Sequence, residues 1–104
     1  MEQKLVNLTK DNFAAAIAEG TWLVDFWATW CGPCRMQGKL IDDHLQELTE
    51  SGATIGKVNV DEEPDLAAQF GIMSIPSLLI FKDGQQVHSF VGVQNIETLK
   101  NALQ

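Results

Sequence analysis

The chain has 104 residues and is 45% hydrophobic, enough for one buried core and too apolar for disorder. Acidic residues outnumber basic ones 14 to 7, and the formal charge of −7 disfavours nucleic acid as a partner. No run approaches the about 20 apolar residues that span a membrane. Met1 to Leu5 lack the basic and then apolar order of an export signal. The expectation is a single domain over residues 1–104, cytoplasmic and away from membranes.

The elements alternate. Lys4 to Leu8 is a short apolar run. Thr9 is placed to cap a helix that presents Phe13 and Ile17 on one face and ends at Gly20. Trp22 to Ala28 is almost wholly apolar and has strand length, the pattern of a strand buried on both faces. A helix is predicted from about Pro33 to Glu50, with Leu40, Ile41, Leu45 and Leu48 as its apolar stripe. Ala53 to Val60 reads as a strand. Pro64 opens a short helix with Leu66, Ala67 and Phe70 turned inward, and Gly71 closes it. Ser77 to Phe81 is a second strongly apolar strand. Asp83-Gly84 is a hairpin signal, so Gln86 to Val91 should return antiparallel to it. Ile96, Leu99 and Leu103 mark a last amphipathic helix. Strands and helices interleaved in this order give an α/β fold, with helices on both faces of a mixed sheet.

Cys31-Gly32-Pro33-Cys34 is the most informative segment. It follows a buried strand and opens a long helix, the setting of a redox-active cysteine pair. Residues three apart on a first helical turn bring their sulfurs together, so a disulfide closes with little backbone movement. Cys31 falls at the helix N-terminus, where free N–H groups and the macrodipole favour the thiolate, the attacking form. Cys34, one turn in, should be more buried and less reactive. Cys31 would attack a substrate disulfide, and Cys34 would then displace the substrate from Cys31. The competing readings are half a zinc site or two inert core thiols. Zinc normally takes four ligands in structural sites. The chain has no further cysteine, and His44 and His88 are distant in sequence, so no metal is expected.

Trp27-Ala28-Thr29-Trp30-Cys31-Gly32-Pro33-Cys34 resembles the active-site segment of the thioredoxin family almost letter for letter. Val24-Asp25-Phe26, Lys57-Val58-Asn59-Val60-Asp61, Ile75-Pro76, Phe81-Lys82-Asp83-Gly84 and Val91-Gly92 are similar to the family pattern in order and spacing. The resemblance implies a thioredoxin fold, a five-stranded mixed sheet in the order 1-3-2-4-5 flanked by four helices, with a cis peptide at Ile75-Pro76. It implies a general protein-disulfide reductase and electron carrier without a bound cofactor. Its substrates would be disulfide-containing proteins, and an NADPH-dependent flavin thioredoxin reductase would reset the pair. Cys31 would be the nucleophile and Cys34 the resolving thiol. Asp25 would be the proton relay beneath Cys34, and Lys57 its charged partner. Trp30, Gly32, Pro33, Ile75, Pro76, Val91, Gly92 and Val93 would form the substrate-binding patch. The protein would act as a monomer.

Two other functions stay open on sequence alone: an oxidant or isomerase of the same fold, and a binding subunit that works without redox chemistry. Oxidising relatives usually carry a histidine between the cysteines, where this chain has Pro33. The chain also departs from the family after the active site. Lys39, preceded by Gly38, stands where many members have a helix-kinking proline, which moves any weak point of this helix to Gly38.

Overall fold

The structure is a computed structural model and describes residues 4–104. The reading of Met1 to Leu5 as lacking an export signal falls partly outside these residues. Five strands, β1 (Leu5–Asn7), β2 (Thr21–Trp27), β3 (Thr54–Asn59), β4 (Ser77–Lys82) and β5 (Gln85–Val91), form one sheet in the order β1-β3-β2-β4-β5. β3 runs parallel to both β1 and β2, while β4 is antiparallel to β2 and to β5. This is the mixed sheet and strand order that the resemblance implies. Asp83 and Gly84 both have positive φ, 49° and 85°, as the two-residue turn between β4 and β5 requires.

Among the described residues five helices flank the sheet where four are expected: α1 (Phe13–Ile17), α2 (Gly32–Asp43), α3 (Leu45–Thr49), α4 (Pro64–Gln69) and α5 (Ile96–Ala102). The extra one arises because the helix predicted to run to Glu50 breaks at His44. The His44 N–H is shared between Leu40 O and Ile41 O, both at 3.2 Å, and its ring Nδ1 lies 2.9 Å from Leu40 O. That side chain and a tightened last turn take up the end-of-helix carbonyls, so the i to i−4 ladder stops there. Gly38 does not interrupt α2. The first helix also begins later than expected. Thr9 Oγ1 accepts the Asp11 N–H and caps a turn, and Asn12 Oδ1 accepts the Thr9 N–H, so regular helix starts only at Phe13.

The two faces of the sheet bury different cores. Phe13 and Ile17 of α1 and Leu66 of α4 pack on Trp22, Val24, Phe26, Val58, Leu79 and Phe81. Trp22, the first apolar residue of β2, belongs to this buried set. On the opposite face Ile41, Leu48, Leu99 and Leu103 cover Leu23, Ile55, Leu78 and Ile80. Strand alternation then assigns Asp25, two residues beyond Leu23, and Lys57, two beyond Ile55, to the α2 and α5 face. Gly56 is required on the other face, since a Cβ there would drive into the side chains of Leu8 and Trp22. Among the described residues no helix is long and apolar enough to cross a membrane.

Candidate active site

The parallel strands β2 and β3 end at one edge of the sheet, and the loop leaving β2 there delivers Cys31 to the start of α2. Cys31 is the N-cap residue, with extended backbone (φ −93°, ψ 110°), and Gly32 and Pro33 fill the first helical positions. Pro33 fits because the N–H it lacks has no partner in a first turn. Cys31 and Cys34 are joined in a disulfide with their Cα atoms 5.2 Å apart. The Cys34 N–H points at Cys31 Sγ from 3.2 Å. The two residues are 5% and 2% exposed, so burial separates them less than expected. What distinguishes them is position, the first at the cap and the second one turn inside.

Asp25 is wholly buried, and neither carboxylate oxygen has a hydrogen-bond partner among the described residues. Desolvation pushes its pKa up from 3.8 to about 7, against the opposing pull of the Lys57 ammonium and with a small upward push from Asp42. Asp25 and Lys57 are register partners across β2 and β3. The ion pairs among the described residues join Lys39 to Asp43 and Lys100 to Glu47 and Glu50, and Asp25 and Lys57 form none. The Lys57 ammonium instead lies over the Trp27 ring, 4.8 Å from its centroid, and a Cβ on Gly38 of α2 would stand 3.5 Å from it. Lys57 therefore acts on Asp25 through its field rather than through a hydrogen bond.

Around the disulfide the structure gathers residues distant in sequence. Cys31 Sγ is 3.8 Å from Ile75 O, and the Ile75-Pro76 peptide is cis. Pro76 is buried, and its carbonyl accepts the Gly92 N–H at 2.8 Å. That bond brings the segment after β5 to the same place. Gly92 has φ +87°, a conformation that favours glycine. Gly32 and Pro33 are exposed, Ile75 is half-buried, and Val93 is exposed at the rim. Trp30 is 67% exposed, and its indole N–H donates to Asp61 Oδ2 at 2.8 Å, which holds the ring upright on the surface.

Sequence reasoning missed part of this surface. Trp30 and Ile75 line an apolar groove of about 180 Å³ whose other walls are Val60, Ala67, Ile72 and Met73. Met73 is 96% exposed. It sits in an irregular segment between α4 and β4, where no periodicity marks a side chain as facing anything. Gln37 was also passed over. It is fully buried on α2 and hydrogen-bonded to Gln94. Its place four residues before Ile41, on the buried side of the helix, is a signal the sequence does carry.

A cysteine pair closed across the first turn of a helix, at the edge of a mixed sheet, defines a thiol–disulfide oxidoreductase. The Thioredoxin family model matches residues 4–104. A thioredoxin of Staphylococcus aureus is 44% identical over 99 residues, covering 95% of this chain and 94% of its own. One of Staphylococcus haemolyticus is 46% identical over the same span. Among solved structures, a mutant thioredoxin from Halobacterium salinarum superposes with a TM-score of 0.87 at 28% identity, over 99% of this chain and 92% of the other. The chain belongs to the thioredoxin family. Its activity is the reduction of protein disulfides by dithiol–disulfide exchange.

Proposed function

We propose that Cys31 is the attacking thiolate and Cys34 the resolving thiol of a general protein-disulfide reductase. The observation that carries this assignment is the Cys34 N–H aimed at Cys31 Sγ from 3.2 Å. A donor at a helix start favours negative charge on that sulfur, and so the nucleophilic form, while Cys34 has no such place. The Cys31 thiolate attacks one sulfur of a substrate disulfide. The substrate S–S bond breaks, a mixed disulfide forms, and the released substrate thiolate takes up a proton. Cys34 then loses its proton and attacks Cys31 Sγ. The mixed disulfide breaks, the second substrate thiolate leaves, and two electrons have passed to the substrate.

Asp25 receives the proton of Cys34 in the second step. A carboxyl raised to about 7 can hold a proton or release it near neutrality, as a relay must. Lys57 keeps that carboxyl from rising further. Trp30, Gly32, Pro33, Ile75, Val91, Gly92 and Val93 form the face on which a substrate chain docks, with Pro76 shaping it from beneath. A weakly polar face with protruding Trp30 and Val91 suits transient contact with many partners. The protein works as a monomer in a reducing cytoplasm, where an NADPH-dependent flavin reductase returns the disulfide to the dithiol.

The test is a redox titration of the purified protein against graded reduced and oxidised glutathione, read by acid-trapped alkylation. The expected result is a disulfide that persists until the buffer is strongly reducing, as an electron donor requires. Reduction under mild conditions would place the protein among oxidants or isomerases.

A further inference from the structure

Gln37 lies on α2 three residues after Cys34 and is fully buried. A buried amide is costly unless both of its ends are paired. Here both are, and to the same residue. Gln37 Nε2 donates to Gln94 O at 3.1 Å, and the Gln94 N–H donates to Gln37 Oε1 at 2.6 Å. One side-chain amide thus meets the backbone of residue 94 as a neighbouring strand would. Gln94 extends the grip outward, its own Nε2 lying 3.3 Å from Val91 O and 3.2 Å from Gly92 O. On its other side the segment is tied through the Gly92 N–H to Pro76 O.

We infer that Gln37 and Gln94 form a clamp, with Gln37 the positioning residue, that fixes the Val91–Val93 segment at a set distance from the cysteines. The segment leaves an exposed edge strand, and such a segment would otherwise sample many conformations. Bolting it to the helix that carries Cys31 and Cys34 gives the sulfurs and the docking loop one rigid frame. Substrate binding then no longer bears the entropy of ordering the loop. Gln37 spends both ends of its amide on Gln94, so its loss should weaken docking and leave the chemistry intact.

This inference rests on the reading of Val91–Val93 as a docking surface, and two variants separate the two. Gln37→Met keeps length and bulk but removes both bonds. Val91→Glu puts a charge on the exposed patch without touching the clamp. Reduction of insulin by dithiothreitol gives KM and kcat, a small chromogenic disulfide reports the chemistry alone, and hydrogen exchange reports the Gln94 amide. For Gln37→Met we expect lost protection at Gln94, a KM for insulin raised about fivefold, and unchanged kcat and small-disulfide rate. Val91→Glu should also raise KM. If Gln37→Met loses the protection and keeps its KM while Val91→Glu does not, the clamp proposal is overturned and the docking surface stands. If neither variant changes KM, the docking reading falls and the clamp with it. Should Gln37→Met fail to fold, Gln94→Ala loosens the same segment from outside and must show the same split at smaller amplitude; an unchanged KM overturns the proposal.

Discussion

Asp25 costs this protein stability, and the cost depends on pH. Its carboxyl titrates near 3.8 in an open chain and near 7 in the fold. Between those values the unfolded chain has released a proton that the folded one still holds, so stability falls as pH rises through this window and levels off above about 7. The shift corresponds to something of the order of 4 kcal/mol. Asp25→Asn removes the ionisable group. Urea denaturation of the oxidised protein should find the variant clearly more stable than the parent at about pH 8, with the difference shrinking towards about pH 5. The same substitution should slow resolution of the mixed disulfide at neutral pH, seen as accumulation of a trapped covalent intermediate. A variant with unchanged stability at both pH values would mean that Asp25 is solvated. Its oddness within Val24-Asp25-Phe26 was legible in the sequence, because charge inside a doubly buried strand is rare. The position of the Lys57 ammonium over Trp27 was not, since strand register gives neighbours but not where a long side chain turns.

The strands of this fold were more legible than its helices. β2 and β4 are mostly apolar runs, and their observed ends lie within a residue of those predicted. The break at His44 left no trace in the apolar stripe, because Ile41, Leu45 and Leu48 still face the core on either side of it. A hydrophobic pattern records which side of a helix is buried and says little about whether the ladder of backbone bonds is whole. α1 shows the same limit at its start, where Thr9 and Asn12 spend their side chains on a turn. Gly38 is a separate matter. It is buried within a continuous α2, and an added methyl group would meet Lys57 Nζ at ordinary contact distance, 3.5 Å. Gly38→Ala should therefore stabilise the protein by up to about 1 kcal/mol, measured by denaturant midpoint at constant slope. A loss of stability would show that the Lys57 ammonium cannot yield there.

At the scale of the molecule, the sheet has two edges and both are poorly suited to pairing with another chain. β1 is three residues long. β5 is longer but carries Gln85, Gln86, His88 and Ser89, and its pairing with β4 shifts register between Ile80 and Phe81. Short, polar or irregular edges resist strand addition, and a net charge of −7 adds mutual repulsion between copies. Sedimentation should give the mass of one chain, 11.5 kDa, at all concentrations tested. Association that persists when Trp30 or Met73 is replaced by a charged residue would point to these edges; association that such a change abolishes would point to the apolar groove. The order of strands and the cysteine pair could be read before any coordinates. The groove walls and the Gln37–Gln94 contact could not, because they join Trp30 after β2 and Val60 after β3 to the segment before β4, and α2 to the segment after β5, over distances that no local pattern spans.

The place of Cys31 at the head of α2 sets a compromise between speed and driving force. In the disulfide its sulfur is a neutral and weak acceptor for the Cys34 N–H. In the dithiol form, on the proposed assignment of Cys31 as the attacking thiolate, the cap at the positive end of the helix would hold an anion. Whatever the helix contributes to that anion makes the nucleophile more abundant, and it equally favours the reduced protein over the oxidised one. A stronger cap would give a faster attacker that is more reluctant to part with its electrons. A weaker one would give an eager donor that rarely presents a thiolate. The first turn of α2 thus works as a governor, setting how much reducing power is given up for how much reactivity.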